Sequence, residues 1–347
     1  GGSAKATRFE IKSADHWVCA VCENGGDAIA LVQKCAGVDF AAAIERLGGA
    51  RPLSPDEERA IAARRAERER QERARVDAYK RREQEACERL WAAGRAPTRE
   101  RLGRYLAGRG LVLPASAVVR ECDDVAYFHG EEHDARGGVR PALLARTPAM
   151  LARFFDNEGR PAGLHITHLA PDWSGKAKLI DPASGEALPA KKMRGTKKAA
   201  HLVLREVAPG APCRLFLAEG IETCLSVAMA LQAAGGFRAT DRFWAAGDLG
   251  NLGGKAAGTT AHPDLKGPAG RPQRVPSATP DSGAPAIAIP ACATDLVLLG
   301  DGDSDPFTTR LAMERGRARY ARPGLRVAVA MAAPGGDFND MLMESAA

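Results

Sequence analysis

The sequence predicts an α/β protein: a parallel sheet flanked by helices, preceded by a mixed α/β lobe and, nearest the N-terminus, a partial zinc β-ribbon. Three observations lead there. Apolar runs at 214–218, 296–300 and 326–330 are short and bounded by Gly or Pro, as strands are, and helical patterns follow the first two. Each run is followed by acids: Glu219-Gly220, Asp301-Gly302-Asp303 and Asp337-Phe338-Asn339-Asp340. Strand, acid and helix in repeated order imply a parallel sheet, and in such sheets ligands collect at the carboxyl ends of the strands, where these acids can converge.

Taken from the start, 7–11 alternates like a strand and leads into Trp17-Val18-Cys19-Ala20-Val21-Cys22 and then Gly25-Gly26-Asp27. The Cys19 and Cys22 spacing is one knuckle of a zinc site, whereas a closed tetrahedral shell needs four ligands. Helical patterns at 28–34 and 38–47, the second stopped by Gly48-Gly49, complete a first domain over 1–50. Ser54-Pro55-Asp56-Glu57 has the form of a capping box and opens a helix that runs to about residue 93. Its Arg and Glu residues stand three and four apart, so 51–95 reads as a charged connecting helix with a solvated face.

Residues 96–205 read as a mixed α/β basic lobe, with a helix at 98–108 and strands around 117–120, 142–146 and 164–169. His165 and His168, three apart in a strand, point to opposite faces and are not read as metal ligands; His129 and His133 sit in a polar turn. From 191 to 198, five of eight residues are cationic: Lys191, Lys192, Arg194, Lys197 and Lys198. With Lys176 and Lys178 on an earlier strand-like segment, they form a candidate phosphate-binding face beside the acids. The last domain, 206–347, adds a strand at 243–247 and a glycine-rich turn at 248–254. Pro, Gly, Ala, Ser and Thr dominate from about 255 to 293, which predicts a flexible insertion.

Carboxylate oxygens without His or Cys suit Mg²⁺ or Mn²⁺ better than zinc, and a hard divalent ion implies phosphate chemistry. Asp301 and Asp303 are placed to flank a metal, Gly220 and Gly302 let backbone or phosphate approach, and Glu219 is left for proton transfer. Glu219, Asp337 and Asp340 are further candidate ligands. Asp305, before Pro306, is read both as a ligand and as a helix cap, and Glu222 with Thr223 as residues favouring a helix N-terminus.

The 347 residues carry 49 Lys plus Arg against 43 acids, a net charge of +6 spread unevenly, which suggests a polyanionic partner. No apolar run approaches about 18 residues and no signal pattern opens the chain, so no membrane partner is expected. Eight scattered cysteines fit a reduced, cytoplasmic setting.

Glu-Gly, then Asp-x-Asp, then Gly-x-Asp-Phe-Asn-Asp, over about 211–344, resembles a Toprim domain, shared by bacterial primases, topoisomerases and some nucleases. The wording of 217–223 and 300–305 is most similar to primase-like proteins of phages, plasmids and integrated elements. The resemblance implies a Toprim-type sheet, an acid/base role for Glu219 and a divalent metal on Asp301 and Asp303. It also makes Trp17 to Asp27 similar to the second knuckle of a zinc β-ribbon whose first knuckle would precede Gly1. The chain is therefore expected to be truncated at its N-terminus and to bind Zn²⁺ only with that knuckle restored. The implied activity is synthesis of short RNA primers on single-stranded DNA from ribonucleoside triphosphates, with any replicative helicase a separate protein. A metal-dependent nuclease and a non-catalytic nucleic-acid-binding replication subunit are the alternatives. Topoisomerase chemistry is disfavoured, because Tyr79, Tyr105, Tyr127 and Tyr320 come without a recognisable cleavage-reunion domain.

Overall fold

The structure, a computed structural model, describes residues 9–13, 16–19, 24–48, 54–134, 137–208, 210–267 and 270–346. The chain divides into two compact units, 1–77 and 78–347. In the first, β1 (Phe9–Ser13), β2 (His16–Cys19) and β3 (Asn24–Gly26) form an antiparallel sheet, followed by α1 (Ala28–Ala36) and α2 (Phe40–Arg46). Trp17 is buried, stacks on Phe9 and donates its indole N–H to the Asp27 carbonyl at 2.9 Å. The Asp27 and Asp39 carboxylates cap the two helices by accepting from the amides of Ala30 and Ala42. Cys19 ends β2, whereas Cys22, and with it the expected zinc knuckle, lies outside the described residues.

The boundary between the units falls within α3 (Pro55–Ala93). Its capping box forms as the sequence predicts: the Ser54 amide donates to Glu57 at 2.9 Å, and the Glu57 amide donates to the Ser54 hydroxyl at 3.2 Å. Among the described residues, no helix is long and apolar enough to cross a membrane.

The second unit is built on one mixed sheet. After α4 (Leu102–Ala107) come the long antiparallel strands β4 (Val119–His133), β5 (Val139–Phe155) and β6 (Pro161–His168). The short β7 (Leu179–Ile180) and β8 (Ala187–Leu188) pair with each other, β9 (Lys191–Gly195) joins β6, and β10 (His201–Arg205) joins β5. Helix α4 starts later than the sequence suggests because Glu121, fully buried, grips the turn before it: its carboxylate accepts from the amides of Thr98 at 2.9 Å and Leu102 at 3.3 Å.

The C-terminal half continues with β11 (Cys213–Ala218), α5 (Ile221–Ala233), β12 (Asp241–Ala245), α6 (Leu249–Gly253), β13 (Thr259–Lys266), β14 (Pro272–Pro276), β15 (Ala293–Gly300), α7 (Pro306–Tyr320), β16 (Arg326–Met331) and α8 (Phe338–Ala346). The sheet runs β16-β15-β11-β12-β10-β5-β6-β9, with β4 also on β5; its first four strands are parallel. Strand alternation splits the core. Phe216 and Ala218 face a cluster with Tyr105, Leu106, Ile221 and Leu225, while Leu215 and Leu217 face one with Leu252, Met313 and Tyr320. Helices α4 and α5 thus cover one face, and α6 and α7 the other.

The stretch 255–293 corrects a sequence expectation. Expected as a flexible insertion, it holds the β13–β14 hairpin, and Ile287 and Ile289 are buried in the second cluster. Its carbonyls are collected by arginines of α7: Arg315 donates to Gly254 at 2.8 Å and to Ser277 at 2.7 Å, and Arg319 to Asp281 at 2.6 Å. Composition signals local flexibility; it carries no record of donors supplied from 38 residues away in sequence.

His165, His168 and His201 are all held down to about 4, chiefly by burial. His201 stacks on Trp244 at 3.7 Å with its Nδ1 unpartnered, so the ring contributes packing as a neutral group. Its folded pKa lies below the unfolded value, so the unfolded chain takes up the proton first, and this term weakens the fold as pH drops from about 6.5 toward 4. The variant His201→Phe should lessen the acid loss of stability by up to one proton across that window, read from urea unfolding at several pH values. Parallel wild-type and variant curves would contradict it.

Candidate active site

The parallel strands lie in the spatial order β16-β15-β11-β12, so the chain leaves β11 toward β12 on one side and returns as β15 on the other. That reversal is a topological switch point at the carboxyl ends of β11 and β15, the place where ligands bind in open α/β sheets. In the register of the pair, Ala218 faces Leu299, so the next residues out of the sheet are Glu219 on one strand and Gly300 and Asp301 on the other. Helix α5 begins just beyond Glu219 and brings Thr223 round to donate its hydroxyl to the Asp301 carboxylate at 3.0 Å.

A second loop presses on the same place. The Gly302 amide donates to Gly336 at 2.9 Å and the Gly335 amide to Gly302 at 2.8 Å. A Cβ on Gly302 would stand 2.1 Å from the Ala333 carbonyl oxygen, so glycine is what allows the loop to dock. Docking brings Asp337 into the field of Asp301. Burial and the neighbouring Asp301 and Asp248 push Glu219 up to about 7. Asp301 is pushed up to about 6 by burial, against the Thr223 hydrogen bond, with Asp337 and Asp303 adding to the rise.

Not every predicted acid is equally committed to that spot. Asp303 and Asp340 are exposed. Asp337 accepts from the amides of Asn339 and Asp340, and Asp340 accepts from the Asp337 amide at 3.0 Å, so the two also close a reciprocal cap on α8. Asp305 caps α7 through the Thr308 amide at 2.7 Å. Among the described residues, no three acid, His or Cys side chains are already gathered into a metal-holding group. The donor chemistry nevertheless fits a hard divalent cation: an all-oxygen set whose members raise one another's proton affinity is relieved by positive charge.

The positive charge nearby is organised by Glu222, three residues beyond Glu219 and in the first turn of α5. Its side chain is 6% exposed and meets four partners from three other segments: the Tyr105 hydroxyl, which donates to it, Lys176 at 2.9 Å, Arg109 at 3.6 Å and Lys191 at 3.7 Å. Burial alone would raise its pKa; Lys191, Lys176, Tyr105 and Arg109 outweigh that and hold it at about 2. Lys191 also counteracts the rise at Glu219 and Asp301, so the same ammonium group serves both carboxylate sets. Asn339 ties α8 to this junction by donating to the Arg109 carbonyl at 2.7 Å and to Ser226.

The rest of the predicted cationic run is divided by strand alternation. Lys192 lies over the Tyr127 ring at 4.6 Å, and Arg194 is held by Glu83 at 3.0 and 3.2 Å. Lys197 forms a close pair with Asp248, and Lys198 lines a cleft of about 200 Å³ with Lys255, Gly250 and Gly254. Lys178 is exposed. A larger cleft, about 880 Å³, lies over α4 and 111–117, away from the acids.

Sequence reasoning named Tyr105 only in weighing topoisomerase chemistry, missed Arg109 and read Glu222 as a helix-start residue. The available signal was a carboxylate set among Ile221, Cys224 and Leu225, since a charge placed in apolar surroundings needs partners.

Residues 81–204 match a sequence family described as a domain of unknown function, DUF7146. No curated protein matches the chain. Among solved structures it is similar to a DnaG primase catalytic domain bound to single-stranded DNA, at 12% identity over 77% of this chain and 78% of that one, with a TM-score of 0.38. It is similar as well to the zinc-binding and RNA polymerase domains of the Aquifex aeolicus primase, at 13% identity, 95% and 70% coverage and a TM-score of 0.33. The third is a DNA primase domain from Pseudomonas aeruginosa, at 12% identity, 72% and 68% coverage and a TM-score of 0.35.

Removing Glu222 leaves Lys176, Lys191 and Arg109 facing one another without a counter-charge. Glu222→Ala should destabilise the protein by about 1.5–3 kcal/mol in urea unfolding, as expected when a buried charged acceptor is taken from partly exposed donors. A cost below about 1 kcal/mol, the range of surface pairs, would contradict the buried network.

Proposed function

We propose that residues 78–347 form the catalytic part of a primase-like nucleotidyltransferase that joins ribonucleotides into short primers on single-stranded DNA. The observation that carries this reading is the pairing, at one topological switch point, of a carboxylate cluster with a set of cations gathered on the buried Glu222. Carboxylates beside fixed ammonium and guanidinium groups are what a polyphosphate with a divalent cation requires. The resemblance of 217–223 and 300–305 to primase-like Toprim proteins selects polymerisation among the phosphoryl-transfer chemistries.

Asp301 and Asp303, with Asp337 and Asp340 as outer candidates, would hold Mg²⁺ or Mn²⁺. Such an ion, when bound, offsets charge on the triphosphate and on the departing pyrophosphate. Glu219, at about 7, is poised near neutrality to take a proton from an attacking 3′-hydroxyl. Lys176, Lys191 and Arg109, gathered on Glu222, would supply positive potential for the phosphates, and Lys198 would add a contact to the template backbone. Cys19 and Cys22 belong to a zinc knuckle that needs a second pair of ligands.

Labelled-ribonucleotide incorporation on single-stranded DNA with Mg²⁺ or Mn²⁺ tests the proposal. Wild-type protein should make short labelled products, and Glu219→Gln should lower their rate by about 10²–10⁴-fold, the usual contribution of a general base. Asp301→Ala should abolish them. Cleavage of the DNA without nucleotides would replace this reading with a nuclease, and unchanged function in Glu219→Gln would replace it with a non-catalytic nucleic-acid-binding subunit.

A further inference from the structure

The β13–β14 hairpin is attached to the acidic loop by one side chain. His262, on β13, is 3% exposed and uses both ring nitrogens. Its Nδ1 accepts from the amides of Asp264 at 3.1 Å and Leu265 at 2.9 Å, which places the ring proton on Nε2. That Nε2–H points at the Asp305 carboxylate, at 3.0 and 3.1 Å from its two oxygens. The ring edge packs on Phe307 at 4.9 Å, and Asp305 itself caps α7. The hairpin is fixed in turn at its base by Arg315, through Gly254 and Ser277.

The loop 301–305 is therefore clasped from two sides. At Gly302 it is fixed by the backbone of 333–336, and at Asp305 by His262. Asp303 sits between these two anchors, and Asp301 immediately precedes the first. Loop carboxylates that must converge on a small ion gain affinity when the backbone carrying them is preorganised, since less ordering remains to be done on binding.

We propose that His262 is a positioning residue for Asp301 and Asp303: through Asp305 it holds their loop in the conformation that takes a divalent cation, and the hairpin exists in part to present it. This rests on Asp301 and Asp303 being the metal-holding carboxylates.

The two nitrogens of His262 can be separated by substitution. In His262→Asn the side-chain oxygen occupies the Nδ1 position and can still accept from the amides two and three residues on, as Asn does in turns, but the side chain is too short to reach Asp305. His262→Gln has the reach to donate to Asp305. Mn²⁺ binding by calorimetry on the full chain is the readout, with thermal melting alongside and Val275→Ala as a control that loosens the hairpin without touching the latch. The expected result is Mn²⁺ binding by wild type, lost in Asp301→Ala, weakened about tenfold in His262→Asn, and largely kept in His262→Gln and Val275→Ala. Wild-type affinity in His262→Asn, or an equal loss in Val275→Ala, would overturn the positioning role while leaving the site intact. Absence of wild-type binding, or binding indifferent to Asp301→Ala, would instead overturn the metal site on which it rests.

Discussion

The buried carboxylate of Glu222 is the constraint on which the arrangement of the second unit turns. A charge this far from water is expensive unless it is paired and hydrogen-bonded, and its partners come from α4 and the chain just after it, from the loop after β6 and from β9. None of those segments is close to α5 in sequence. Each must be in place before the charge is satisfied, so the interaction makes the basic lobe and the acid-bearing strands one assembly. Its value lies in that requirement more than in net stability, because the attraction among buried charges is largely offset by the cost of removing them from water. The consequence for chemistry is local: Lys191 is held where it moderates the repulsion between Glu219 and Asp301.

Around that junction the sheet does the positioning. The reversal of strand order at β11 and β15 puts two strand ends side by side, and the loop at 333–336 docks on Gly302 to bring a third acid-bearing segment into the field. The acids approach closely enough to raise the proton affinity of Glu219 and Asp301, and they stop short of a closed coordination shell. A site of this kind holds charge in tension until a cation and its phosphates arrive.

Much of this was legible in the residues. Short apolar runs ending in acids gave the parallel strands and their order of chemistry, because strand period and the strand-end placement of acids are local properties. The capping box at Ser54 was legible for the same reason. What escaped was long-range. Glu222 looked like a helix-start acid because its partners lie between 31 and 117 residues away, and Arg315 and Arg319 gave no sign that they order a Pro- and Gly-rich stretch by binding its carbonyls. The cationic run 191–198 was visible as a cluster, yet strand alternation sends Lys191 to one face and Lys192 and Arg194 to the other. Density of charge in sequence did not mean convergence in space.

The most direct measurement is a crystal structure of the full chain with Mn²⁺ and a non-hydrolysable ribonucleoside triphosphate. The account predicts anomalous density for the metal at Asp301 and Asp303, beside Glu219, with the triphosphate running toward Lys176, Lys191 and Arg109. Metal and phosphates bound elsewhere at saturating concentrations, with the switch point empty, would contradict it.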